Sequence, residues 1–372
     1  MQSVTRRRVL LTTLAALGVA APGLGWAQTT EPGTTAANQR LEEVVVTAQR
    51  RTEKLMDVPM SITALSQDVL DEKGLHNIDD LSRVAPGVTF LRNGMSASGN
   101  YNDEDSDVSI RGIDSTAGAS TTGIYIDDTP IQTRHLNFGT VNPYPELFDL
   151  ERVEVLKGPQ GTLFGSGSEG GTLRFITPSP DLHSYSGYAK AEFGQIQDGG
   201  RNYEIGAAFG GPIIDGVLGF RVSASFREDG GWVNLVNYTR PTPVVTPCIS
   251  DAANMLAPPC FGGPADVYPT PPTVTNTVES NSNWHDTQTF RAALRWAPSD
   301  TLTVDPSFYV QTLHINDTGA YWVNISDPAN NAYLNGNAER NPSTDPWYIG
   351  ALKINWELPW ASFVSNTSYF SR

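Results

Sequence analysis

Leu218-Gly-Phe-Arg-Val-Ser-Ala-Ser-Phe-Arg227 alternates with period two: Leu218, Phe220, Val222, Ala224 and Phe226 share one face, and Arg221, Ser223, Ser225 and Arg227 the other. Successive side chains of an extended strand point to opposite sides, so this stretch predicts a strand with one apolar and one polar face. Phe290, Ala292, Leu294 and Trp296 alternate with Arg291 and Arg295 in the same way. Tyr185–Phe193, Tyr203–Phe209, Leu302–Gln311, Trp347–Trp356 and Ser362–Phe370 bring the expected strands after Ser184 to seven. Their connections alternate in length. Gly210–Gly216, Ala297–Asp300 and Glu357–Trp360 are short, whereas Gly230–His285 and Leu313–Asp345 are long. A soluble sandwich gives no reason for that rhythm. A barrel crossing an outer membrane does, because its turns are short on one side and its loops long on the other. Trp232, Trp296, Trp347, Trp356 and Trp360 lie near strand ends, where aromatic girdles meet the membrane interfaces.

Ahead of this region, Val58 to Arg174 reads as one α/β domain. Ser66 caps a short helix through Glu72 that Gly74 stops; Asn77, with Asp79 and Asp80, starts a second helix that Pro86-Gly87 ends. Short strands are expected at Val88–Leu91, Val108–Arg111, Ile124–Ile126, Val153–Leu156 and Thr172–Thr177, with polar loops at Asn93–Ser106, Asp114–Thr122 and Gln132–Asn142. Gly158, Gly161, Gly165, Gly167, Gly170 and Gly171 crowd one connection without the Gly-Lys-Ser/Thr ending of a phosphate-binding loop, so they read as tight turns and close packing.

Residues 1–27 read as a signal peptide: Arg6, Arg7 and Arg8, then the apolar run Val9–Ala20, then Gly25 and Ala27 before a cut at Gln28. Thr5-Arg-Arg-Arg-Val-Leu10 also resembles a twin-arginine signal. Gln28–Arg40 is a polar tether, and the β-branched run Leu41–Ala48 on its end suits capture by a partner's sheet edge. Export makes Cys248 and Cys260, both in the Pro-rich stretch Arg240–Pro272, candidates for a disulfide bracing an exposed loop. The 372 residues carry a formal charge of −15, against a nucleic-acid partner. The five His, at 76, 135, 183, 285 and 314, are scattered, and no nucleophile–base–orienter set or metal motif stands out. No cofactor and no metal site is expected.

Five motifs in order resemble the TonB-dependent outer-membrane receptors of the iron-complex (siderophore) type. They are Glu42-Glu-Val-Val-Val-Thr-Ala48, which matches the TonB box, Val108-Ser-Ile-Arg-Gly-Ile113, Gly123-Ile-Tyr-Ile-Asp-Asp128, Leu150–Gly165 and Gly170–Thr177. The resemblance implies an α+β plug domain followed by antiparallel transmembrane β-barrel strands. It divides the chain into the signal peptide (1–27), a tether with the TonB box (28–57, box 41–48), the plug (58–180) and the N-terminal part of a barrel (181–372). Family barrels close with about 22 strands, so seven strands make this an incomplete barrel, an N-terminal portion that is not expected to transport by itself.

The resemblance further implies transport rather than catalysis. Substrate binds outside, and TonB of the inner-membrane complex then pulls Glu42, Glu43, Val44, Val45, Val46, Thr47 and Ala48. Arg111 and Lys157 would lock the plug to barrel-wall carboxylates, although Lys157 stands where the family more often has Arg. Tyr101, His135, Asn137 and Phe138 are the candidate contacts to an iron chelate or other small molecule. The partners implied are TonB, that substrate and outer-membrane lipid. Asp103, Glu104, Asp105 and Asp107 form an acidic loop that could hold a hard cation but reads first as a solvated loop. A secreted β-rich adhesin or lectin is the rival reading; it leaves the box and plug motifs unexplained.

Overall fold

The computed structural model describes residues 45–47, 53–92, 106–114, 120–132, 144–239, 244–245, 266–267 and 272–372. The signal peptide, the tether, Glu42, Glu43, Val44, Ala48, Tyr101, His135, Asn137, Phe138, Cys248, Cys260 and the acidic residues 103–105 lie outside them.

Among the described residues the N-terminal half carries nine strands. They are β1 (Val45–Val46), β2 (Glu53–Lys54), β3 (Ser61–Ser66), β4 (Val88–Arg92), β5 (Ser106–Ile110), β6 (Thr122–Ile126), β7 (Thr129–Pro130), β8 (Arg152–Lys157) and β9 (Gly171–Ile176). The order β3-β8-β9-β6-β7 makes a five-stranded sheet; β4 pairs with β5, and β1 with β2. Alternation along this sheet decides everything that follows. Val153, Val155, Leu173, Phe175, Ile124 and Ile126 share a core with Leu70, Leu75 and Leu81. The intervening Leu156 and Tyr125 belong to a second cluster with Val46, Val58 and Phe164, on the opposite face.

Helix α1 (Gln67–Glu72) starts where Ser66 Oγ accepts the Val69 N–H at 3.4 Å, and Gly74 follows it in the left-handed region at φ 59°. The helix expected after Asn77 is instead a 3-10 segment, Ile78–Arg83, opened by a capping box between Asn77 and Asp80. Only four residues separate that box from Ala85, where Pro86 disfavours helical backbone. A second helix, α2 (Gly161–Phe164), occupies the glycine-rich connection.

The C-terminal half continues with β10 (Ser186–Gln195), β11 (Arg201–Ile214), β12 (Leu218–Asp229), β13 (Val233–Thr239), β14 (Val244–Val245), β15 (Asp266–Val267) and β16 (Thr273–Glu279). It ends with β17 (His285–Ser299), β18 (Leu302–Ile315), β19 (Tyr333–Asn335), β20 (Ser343–Leu358) and β21 (Ala361–Ser371). The seven expected strands form one antiparallel sheet in chain order, β10-β11-β12-β17-β18-β20-β21. Among the described residues the outer edges of β10 and β21 have no partner strand, so the sheet is an arc and not a closed barrel. At 10 to 16 residues the strands reach or exceed the roughly 9–11 that cross a bilayer. Phe209, Phe290, Leu294, Trp296 and Trp356 stand exposed on the outer face. The long connections are not irregular throughout: β13 pairs with β16 antiparallel and with β19 in parallel, joining the two long loops.

Plug and strands belong to one packed unit, Val44–Arg372. Trp347 and Ile349 of β20 point inward and complete the plug core, with Trp347 stacked on Tyr309 at 5.0 Å between ring centroids. The Phe148 ring lies against Gly206 of β11, where any Cβ would overlap it.

Candidate functional site

Only the tip of the expected box, Val45 to Thr47, is described, and it is docked. Val46 is fully buried against Val58, Tyr125, Leu156 and Phe164. Tyr125 closes this pocket by donating its hydroxyl to the Phe164 carbonyl at 2.6 Å and meeting the Phe164 ring edge-on at 5.2 Å. The β1–β2 pairing, Val45 opposite Lys54 and Val46 opposite Glu53, folds the peptide back on the chain that enters the plug.

Thr47 sits on a buried ion cluster. Glu154 of β8 faces Arg174 of β9 across the ladder, and Arg152 lies two residues before Glu154, hence on the same side. Glu154 accepts from Arg152 Nε and from Arg174 Nη1, each at 2.7 Å. All three charges are at least nine-tenths buried. Such a cluster is tolerable only when its remaining hydrogen-bonding capacity is met. Thr47 helps to meet it. Its backbone N–H donates to Glu154 at 2.9 Å, its carbonyl accepts from Arg174 at 2.8 Å, and its Oγ1 accepts from Arg174 at 2.9 Å and from Arg152 at 3.3 Å. Arg174 also reaches Asp128 at 3.3 Å, and the other oxygen of Asp128 accepts from Lys353 of β20 at 2.8 Å. A continuous polar chain thus runs from the peptide to the wall.

Two further ties between plug and strands carry the same polarity, acid on the plug and base on the strand, and a third is a neutral amide. Asp149 receives Arg221 of β12 in a two-toothed pair, with Nε at 3.0 Å from Oδ2 and Nη2 on Oδ1. Lys190 of β10 lies 3.7 Å from Asp71, whose second oxygen accepts the Tyr188 hydroxyl at 2.7 Å. The amide of Gln311 on β18 bridges Tyr144 O (2.8 Å) and Glu146 N–H (3.1 Å). Burial first, then the nearby Asp229 and Glu204 charges, outweigh the Arg227 cation and push Glu146 up to about 7.

Arg111 and Lys157 do come together. Arg111 is exposed at the end of β5 with φ 57°, and its guanidinium lies beside Gly158. Burial first, and the Arg111 charge second, push the Lys157 ammonium down. Among the described residues no carboxylate pairs with either. The ties that are seen at Asp149, Asp71 and Asp128 escape sequence reading because their partners lie more than 70 residues away. One signal was available: basic residues on the polar faces of strands at Arg221 and Arg291 face inward, where something acidic has to meet them.

Residues 54–172 match the family profile described as the TonB-dependent Receptor Plug Domain. That stretch is a plug domain of the TonB-dependent receptor type. The chain is 29% identical over 201 residues to the ferripyoverdine receptor of Pseudomonas aeruginosa, covering 54% of this chain and 22% of that one. It is 29% identical over 221 residues to the pesticin receptor of Yersinia pestis, covering 59% of this chain and 29% of that one. Among solved structures it is similar to the ferric yersiniabactin uptake receptor of Yersinia pestis, with a TM-score of 0.59 and 20% identity over 84% of this chain and 40% of that one. The chain thus spans less than half the length of each of these receptors, and its seven strands share the fold of part of the solved one.

Proposed function

We propose that the chain is the plug-bearing part of a receptor that imports an iron complex, a ferric siderophore in the first instance, with TonB supplying the force through residues 42–48. The observation that carries this reading is the docking of Val45–Thr47. A peptide that TonB must seize needs a defined resting place and a finite cost of release. Here it has both, in a hydrophobic socket for Val46 and a set of charge-assisted bonds to Thr47. Val45 and Thr47 also share a cavity with Arg295, Asp305 and Asn355, which stand near the short turns at 300–301 and 359–360. In outer-membrane barrels short turns face the periplasm, the side from which TonB acts. The iron-chelate names of the relatives support the substrate class. The plug and the arc of strands together support a longer barrel, since open edges are not viable in lipid.

The test is Val45→Pro in the native-length protein, which removes a backbone donor from the peptide. Energised uptake of a labelled ferric siderophore should vanish while binding at the cell surface stays within about twofold. Loss of both together would make the segment part of the fold and not a coupling peptide.

A further inference from the structure

We infer that the cavity between the plug and strands β17, β18, β20 and β21 is a transit site for an oxyanion group of the imported solute, and that the docked peptide is the stopper of that site. This rests on the uptake reading above. The cavity measures about 530 Å³, inside the roughly 300–1,000 Å³ of small-molecule sites. Val45 and Thr47 form part of its lining, so withdrawing the peptide removes a piece of its wall.

The chemistry comes from two arginines. Arg291, on the inward face of β17, is 6% exposed; it gives one hydrogen bond from Nη2 to the Pro178 carbonyl at 2.9 Å, and its Nη1 has no partner. Arg174, 2% exposed, lines the same cavity with an unpartnered Nε. The other wall cations there are engaged: Arg295 by Asp305 with two bonds of 3.0 Å, and Lys353 by Asp128. A buried guanidinium N–H left without an acceptor is costly, and its fork matches a carboxylate, catecholate or phosphate oxygen. Because Arg174 is also the residue that grips Thr47, release of the peptide frees Arg174 donors into the cavity as the stopper leaves.

Ser307 of β18 lines the cavity two ladder positions from the Arg291–Tyr309 pair, on the same face of the sheet. The native-length Ser307→Cys protein in cells is labelled with an anionic sulfonatoethyl methanethiosulfonate and with its cationic trimethylammonioethyl counterpart, with and without TonB energisation. Labelling should rise on energisation, and the anionic reagent should react about tenfold faster than the cationic one. Arg291→Gln should abolish that preference and Arg291→Lys keep it, with surface binding of the ferric siderophore unchanged in both. Added inorganic phosphate should slow the anionic reagent only where residue 291 is basic. Energisation-dependent labelling with no charge preference, or a preference that survives Arg291→Gln, would overturn the oxyanion site while leaving the coupling reading intact. Labelling that ignores energisation would overturn the stopper and count against the coupling reading itself. Should Arg291→Gln fail to reach the membrane, Arg291→Met with a heat-modifiability check takes its place.

Discussion

Thr47→Val isolates the polar half of the docking. Valine keeps the shape of threonine and removes only Oγ1, which accepts from Arg174 at 2.9 Å and from Arg152 at 3.3 Å. The backbone bonds of residue 47 to Glu154 and Arg174 survive. A hydrogen bond to a charged group contributes about 1.5–3 kcal/mol, and Arg174 Nη1 is already shared with the Thr47 carbonyl and Glu154. The net loss is therefore about 2 kcal/mol, or roughly 30-fold in the ratio of docked to free peptide. Hydrogen exchange of the segment around 45–47, followed by mass spectrometry on the purified native-length protein, reads that ratio directly. Protection should fall by roughly 30-fold, and the apparent affinity for the periplasmic domain of TonB should rise by up to the same factor, because less free energy is spent on undocking. Unchanged protection and unchanged TonB affinity in a folded variant would refute the assignment of Thr47 as the latch.

Trp347→Ala should destabilise the seated plug by about 3–5 kcal/mol, seen as a lower denaturation midpoint, because a fully buried ring bridging strand and plug core is lost. Asp149→Ala should cost a similar 3–5 kcal/mol by leaving Arg221 buried without its carboxylate, and Arg221→Met added to it should recover much of that loss. Glu146, held up at about 7, binds its proton more tightly in the folded chain than in the unfolded one. Stability should therefore fall as the pH rises from the ordinary carboxylate range to about 7, and Glu146→Gln should flatten the melting temperature across that window.

The seven wall strands were legible because lipid on one side and a polar interior on the other impose the cleanest period-two pattern a sequence can carry. Strand β20 shows where that signal fades. Trp347, Ile349 and Ala351 alternate with Tyr348, Gly350 and Leu352, so both faces are apolar and nothing in the sequence says that Trp347 enters the plug core. In the plug, Arg152-Val-Glu154 could be read as a strand, but not as a buried ion cluster. That cluster depends on Arg174 arriving opposite Glu154 and on Thr47 coming back from more than 100 residues away. The β13–β16–β19 sheet went unread because its pairing joins segments of two different long loops, one of the pairs parallel. The box peptide was legible as a strand former; its resting place was not, since burial of Val46 is a property of the socket.

The claim that Val45–Thr47 is a docked peptide that TonB must peel away is tested most directly by tying it down. Val45 and Lys54 are ladder partners in an antiparallel pair, where Cβ atoms stand about 4.5–5.5 Å apart, close to the reach of a disulfide. In the native-length Val45→Cys/Lys54→Cys protein, uptake of labelled ferric siderophore is measured in energised cells before and after a permeant reductant, beside surface binding and the fraction oxidised. The oxidised protein should bind normally and import nothing, and reduction should restore import. Full import through the oxidised protein would contradict the claim.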